Sequence, residues 1–212
     1  SFQPIVTVSG LAGWGFLNRT LEAQKATFAE APQFQRDQDY FRANINKIET
    51  AADLVGDRRL LSFALSAFGL EEDLPNKYFI QKVLEDGTLE SDALANRLSD
   101  KSYKAFSDTF GLGDGQVRGS LLSDFSDKII ARFETAQFEK AVGEVDGDMR
   151  IALNLRRELA ETASDTISER AKYYTILGSA PMRLAFETAI RLPSAFGALD
   201  IDRQVDTLEA KV

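Results

Sequence analysis

The stretch "LVGDRRLLSFALSAFGL", Leu54–Leu70, reads as the close of one helix, a turn and a second helix. Asp57 is placed to cap the second, because a short side-chain oxygen there accepts from the free N–H groups of the first turn. Leu60, Leu61, Phe63, Ala64, Leu65, Ala67 and Phe68 leave hardly any polar face, so this helix is expected at the buried centre of the fold. Gly69 falls at the C′ position, where a residue tolerant of positive φ ends a helix cheaply. Downstream, "ILGSAPMRLAFETAIRL", Ile176–Leu192, has the same rhythm. Placing Leu54 on Ile176 sets Gly56 on Gly178, Ala67 on Ala189 and Leu70 on Leu192. Leu61 and Leu65 become Arg183 and Glu187, four apart on one helical face, so the second copy is expected to be buried on one side with its charged pair toward water. "SDKSYKAFSDTFGL", from Ser99, is a shorter echo. Two related helical units explain the repetition; chance resemblance between helical segments is the alternative.

Outward from this phrase the chain reads as helices throughout. The opening "SFQPIVTVSGLAGWGFL" is broken by Pro4, Gly10, Gly13 and Gly15, which favours an irregular segment. Trp14, Leu17, Leu21 and Phe28 then step by threes and fours as a narrow amphipathic helix, interrupted by the polar Gln24 and ended by Ala31 and Pro32. That stripe seeks a surface, either its own domain or a partner helix. Phe34, Tyr40, Phe41, Ile45 and Ile48 mark the next helix, and Thr50 is a plausible N-cap for "TAADLV". Pro75, Ser91 and Asp100 are expected to open three more helices, of which the first ends at Gly87 and the last at Gly111. The longest is expected from Val117 to Val142, striped by Leu121, Leu122, Phe125, Ile129 and Phe133 and roughly 39 Å long. After the break "GEVDGD", four helical segments complete the chain. The last carries the stripe Ile201, Val205, Leu208 and Val212.

The 212 residues include no cysteine and no histidine, which removes thiolate and imidazole catalysis, disulfides and the usual zinc, haem and iron–sulfur ligands. A net charge of −8 repels phosphate backbones and acidic lipid surfaces. No apolar run reaches the roughly 18 residues of a membrane span, and the N-terminus lacks the plan of a cleaved secretory signal. The default compartment is the cytoplasm, with export by a route that cleaves no signal as the alternative.

The remaining chemistry is carboxylate, hydroxyl, amine and guanidinium. "EVDGDMRIALNLRRE" from Glu144 has carboxylates at alternate positions. A calcium loop of the EF-hand kind needs glycine at its sixth place and glutamate at its twelfth, where this chain has Met149 and Leu155. It reads as a solvated helix break. The "GLGDG" of Gly111–Gly115 lacks the lysine and hydroxyl of a phosphate loop and reads as a connection. Asp37 with Asp39, and Asp200 with Asp202, are two apart and diverge on a helix. Ser99 and Lys101 are too close along the chain to define a nucleophile and its base. No catalytic, cofactor-binding or metal-ligating residue is assigned.

Nearly the whole chain carries a likeness, through "QRDQDYFRANINKIETAADLVGDRRLLSFALSAFGLEED", "KVLEDG", "ANRLSDKSY", "RFETAQFEKAVGEVDGDMRIAL" and "ALDIDRQ". It resembles an uncharacterised alphaproteobacterial family, a domain of unknown function, encoded in flagellar gene clusters. The resemblance implies a mostly helical fold and a flagellar context, and brings no functional residue. Ser1 in place of an initiator methionine is expected of a mature or expressed full-length chain.

The expectations are therefore an all-α multi-helix bundle of roughly ten helices, with two related lobes joined by a long central helix. The segments are 1–32 with the amphipathic helix, 33–115 as a first lobe, and 116–212 as the long helix and second lobe. The expected role is a non-enzymatic structural or protein-interaction component of the flagellum, without cofactor, binding no nucleic acid and inserting in no membrane. Its partner is a flagellar protein or a second copy of the chain, and Trp14, Leu17, Leu21 and Phe28 are the candidate contact residues. The alternatives are a general cytoplasmic adaptor unrelated to motility and a magnesium-dependent carboxylate hydrolase.

Overall fold

A computed structural model describes residues 2–211, and within them are twelve α-helices, four 3-10 turns and no strand. The chain separates into two compact units, Ser1–Val145 and Asp146–Val212. The sequence-based segments 1–32, 33–115 and 116–212 are a different division. The first unit holds α1 (Gly10–Ala29), α2 (Pro32–Asn44), α3 (Ala51–Gly56), α4 (Arg58–Ala67), α5 (Lys77–Asp86), α6 (Leu94–Arg97), α7 (Ser102–Phe110) and α8 (Phe125–Val145). The second holds α9 (Gly147–Ser164), α10 (Glu169–Gly178), α11 (Ala180–Ala189) and α12 (Ile201–Lys211).

Local chemistry sets the centre of the first unit. Thr50 and Asp53 form a capping box: the Asp53 N–H donates to Thr50 Oγ1 at 3.1 Å and the Thr50 N–H to Asp53 Oδ2 at 2.9 Å. Asp57 then accepts from the N–H groups of Arg59 and Leu60, both at 3.0 Å, and so starts α4. That helix is buried nearly all round, as its letters require, with Leu61, Ala64 and Leu65 fully inaccessible. It packs on α2, α3 and α8. Phe63 lies between Phe41 and Phe133, with ring centroids at 4.8 and 4.1 Å, and Phe125 joins Phe41 to Phe110. Each large apolar side chain in this cluster contributes about 1.5–3 kcal/mol through burial.

The long helix starts later than its apolar letters suggest. It begins at Phe125, not Val117, and runs to Val145, about 32 Å. Before it the chain makes the 3-10 turn Gly119–Leu121 and an extended residue at Leu122. Gly119 explains the break: a Cβ there would stand 2.1 Å from the Thr109 carbonyl and 2.5 Å from the Phe125 ring, so the backbone passes against α7 as only glycine can. Leu121 and Leu122 consequently face solvent, 64% and 57% exposed. The opening differs as well. Gly10, Gly13 and Gly15 lie inside α1, and the irregular segment ends before Gly10. Packing of Leu17, which is fully buried, holds a helix that propensity alone would not. Ser91 does not cap α6, which has Ala93 at its N-cap position and no side-chain cap.

The two similar phrases have matching backbones. α3 and α10 end at Gly56 and Gly178, followed by extended residues Asp57 (φ −91°, ψ 96°) and Ser179 (φ −102°, ψ 115°). α4 and α11 each have 10 residues. The Leu70 N–H donates to the Leu65 carbonyl and the Leu192 N–H to the Glu187 carbonyl, both at 2.9 Å. The residue before each donor is left-handed, Gly69 at φ 70° and Arg191 at φ 52°, and among the described residues Arg191 is the non-glycine residue that adopts positive φ. The surroundings differ. Arg183 Nε donates to Glu187 at 2.9 Å and its NH2 to Gln204 of α12 at 2.8 Å, so the charged pair expected to face water is half-buried. Leu177, Phe196, Val205 and Leu208 form the small core of the second unit, which places two members of the C-terminal stripe inside it. Val212 lies outside the described residues.

Candidate functional site

Of the candidate contact residues, Leu17 is fully buried, while Trp14, Leu21 and Phe28 are half-buried. They share one face of α1, which packs along α8. The Phe28 ring lies 5.1 Å from Phe34 at the start of α2 and 5.7 Å from Phe138 of α8. Gln24, which interrupts the stripe, is itself buried and has a defined task. Its Oε1 accepts the Ile5 N–H at 2.7 Å, and its Nε2 donates to the Ile5 carbonyl at 3.1 Å and to Thr20 Oγ1 at 2.9 Å. One carboxamide thus holds both main-chain polar groups of Ile5, satisfying atoms whose burial unpaired would cost about 1–3 kcal/mol each. Pro4, next to it, is buried.

Beside this clamped segment lies a groove of about 620 Å³, within the usual size range of ligand sites. It is lined by residues 2–4, by Phe28, Pro32 and Phe34, and by a wall of α8. The wall residues Gln137, Ala141 and Val145 step by four and therefore share a helical face. A smaller cavity of about 180 Å³ continues past Phe34 toward Phe63, Phe133, Ser62 and Ser66. Gln33, Phe34 and Gln137 line both. Of the charged groups in the two linings, Arg59 bonds Asp37 at 3.1 Å and stacks 4.3 Å over Tyr40, Lys140 bonds Glu71 at 3.1 Å, and Glu144 is exposed. Among the described residues, the side-chain amides of Gln33 and Gln137 make no hydrogen bond.

The shifted protonation equilibria lie in structural pairs outside the groove's lining. The Tyr40 phenol is raised by donating to Asp57, the cap of α4. The Tyr103 phenol is pushed up to about 12 by its hydrogen bond to Asp73, helped by partial burial. Asp86 is lowered by the Lys82 ammonium 2.6 Å away. In the run after Glu144, Asp146 is the N-cap of α9, accepting from Asp148 N–H at 3.0 Å and Met149 N–H at 3.1 Å. Asp37 pairs with Arg59 while Asp39 is exposed, and Asp200 accepts from Arg203 N–H while Asp202 accepts from the Tyr174 hydroxyl. Lys101 donates to the Leu98 carbonyl, not to Ser99. In the glycine-rich run, Gly111 (φ 59°) ends α7 with a virtual Cβ 2.1 Å from the Val117 carbonyl, as a connection requires. Among the described residues no three carboxylates converge as metal ligands, and no helix is long and apolar enough to cross a membrane.

These features define an all-helical bundle protein. The chain belongs to the family described as "Protein of unknown function (DUF1217)", whose model matches residues 67–212. No curated protein matches it. The crystal structure of protein AGR_C_984 from Agrobacterium tumefaciens is similar with a TM-score of 0.74 and 24% identity, covering 100% of this chain and 87% of that one. At this identity the likeness speaks for the fold. Its agreement over the entire length includes α1, which precedes the family match.

The residues that sequence reading missed are the glutamines. Gln24 drew notice only as a flaw in a stripe; its partner Ile5 is 19 positions away and no periodicity connects them. Gln33 and Gln137 are brought together only by the packing of α2 and α8.

Proposed function

We propose that the protein is a non-enzymatic structural or protein-interaction component of the bacterial flagellum. One observation carries the interaction reading: the groove between residues 2–4, the start of α2 and α8 combines an apolar floor with polar groups suited to hydrogen bonding and lacks a reactive cluster. Protein-recognition surfaces have that makeup, an apolar centre with a few directional polar groups. The flagellar part rests on the resemblance to proteins encoded in alphaproteobacterial flagellar clusters. The matching backbones of Leu54–Leu70 and Ile176–Leu192 support two related helical units.

Affinity capture of the full chain from cells that are assembling flagella, after chemical crosslinking, tests this reading. Flagellar proteins are expected among the crosslinked partners. Partners confined to other cellular machinery would replace it with a general adaptor. A divalent-ion thermal shift abolished by Asp146→Ala and Asp148→Ala would instead favour the carboxylate hydrolase.

A further inference from the structure

We propose that residues 2–8 form a strap that opens and closes on α1, latched by Gln24 and turning about Gly10, while the helices stay folded. The strap is held at one point. Among the described residues, its hydrogen bonds are the two that join Ile5 to Gln24: the Ile5 N–H donates to Gln24 Oε1 at 2.7 Å, and Gln24 Nε2 donates to the Ile5 carbonyl at 3.1 Å. Its side chains add little grip. Pro4 is buried and Phe2 and Val6 are half-buried, whereas Gln3, Ile5, Thr7 and Val8 are exposed, Ile5 by 49% and Val8 by 53%. Residues 2–8 carry no charged side chain, so no ion pair supplements the latch. Segments with so few buried contacts and hydrogen bonds are the ones that open locally, below the free energy of global unfolding.

Latch and hinge are both built into α1. Thr20 Oγ1 donates to the Phe16 carbonyl at 2.9 Å and accepts from Gln24 Nε2 at 2.9 Å, so residues four apart on the helix aim the carboxamide whether or not the strap is closed. Nε2 has a second hydrogen for the Ile5 carbonyl, and Oε1 accepts the Ile5 N–H. At the hinge, Ser9 stands at the N-cap of α1 without a side-chain capping bond, and Gly10 follows at φ 72° with open space where a Cβ would be. Glycine adopts positive and negative φ with similar ease, so rotation at Gly10 swings the strap without a steric barrier from a side chain. Opening removes residues 2–4 from the lining of the groove beside α8 and returns the carboxamide of Gln24, 6% exposed with the strap closed, to water. The strap therefore governs when that donor and acceptor can meet another molecule. The device is internal to the first unit and does not depend on which partner the protein meets.

Amide hydrogen exchange of the full, isotope-labelled chain, followed residue by residue by NMR at rising but sub-denaturing urea, tests the strap. The Ile5 amide is expected to exchange more slowly than those of Thr7 and Val8, which make no hydrogen bond, and with little dependence on urea. Leu61 and Leu65 of α4 should exchange through global unfolding, with a steep dependence. Gln24→Met keeps the length of the side chain and removes both bonds to Ile5; it should speed the Ile5 amide by about tenfold or more and leave the α4 chemical shifts in place. Thr20→Val, which frees the carboxamide from its helix, should speed it by a smaller factor. Gly10→Ala, strained at the φ of the closed state, should also speed it with Gln24 intact. An Ile5 amide with the urea dependence of Leu61 would make the strap part of the folding core and overturn the proposal. One exchanging as fast as Thr7 in the parent would deny it a closed state, and one indifferent to Gln24→Met or to Gly10→Ala would deny it this latch or this hinge.

Discussion

Leu17→Ala measures whether α1 belongs to the folded unit or is held in reserve for a partner. Leu17 is fully buried with no partner chain present, so the substitution removes three buried carbons and leaves a cavity beneath α1. Such changes cost about 2–5 kcal/mol. For a protein of this size each kcal/mol moves Tm by about 2–4 °C, so the melting temperature should fall by about 4–20 °C. Trp14, the single tryptophan, lies on the same helix and half-buried, and its fluorescence reports detachment of α1 directly. Thermal and urea unfolding should be followed by Trp14 fluorescence and by far-ultraviolet ellipticity. In the parent, the fluorescence transition should coincide with the loss of helix from the first unit. Glu22→Ala, on the exposed face of α1, is the control and should stay within about 0.5 kcal/mol. A Leu17→Ala variant no less stable than Glu22→Ala would refute the reasoning and assign the stripe to a surface outside the unit. Removal of residues 1–32 should, on the same argument, destabilise the first unit by more than Leu17→Ala does.

Gly69→Ala should cost about 1 kcal/mol in urea unfolding, wholly from its φ of 70°, because a Cβ there meets nothing within 4 Å. Arg191→Gly at the matching position should gain less than about 1 kcal/mol, strain relief being partly offset by the greater freedom of an unfolded glycine. Phe63→Ala empties the space between Phe41 and Phe133 and should cost about 3–5 kcal/mol by the same assay. Tyr103 has a folded pKa of about 12 against its ordinary 10.0, so its protonated hydrogen bond to Asp73 stabilises the fold fully below pH 10 and ceases to do so as pH rises through 12. Urea midpoints over that interval should fall with pH in the parent and fall less steeply in Tyr103→Phe.

Local signals carried the fold furthest where one residue settles the backbone. Thr50, Asp57 and Gly69 each have the side chain or the freedom their position demands, and α3 and α4 form between them as their letters indicate. The start of α8 was not legible, because Leu121 and Leu122 continue the apolar stripe in letters while Gly119 lies against Thr109, a contact made only after α7 is in place. The second phrase shows the same limit. Arg183 and Glu187 look like a solvated pair until Gln204, from a helix further along the chain, accepts from Arg183. For the candidate site, Phe28 was legible as apolar, but its partners Phe34 and Phe138 come from two other helices. The glutamines carried no periodic signal. A carboxamide is ambiguous in sequence, since its polarity suits a solvated face as well as a buried clamp, and only the neighbour it meets distinguishes the two.

Deletion of the gene, with swimming and filament number measured beside a strain that carries it back on a plasmid, tests the flagellar interaction role most directly. The account predicts impaired swimming or missing filaments, restored by the parent gene. Filaments and swimming indistinguishable from the undeleted strain would contradict it.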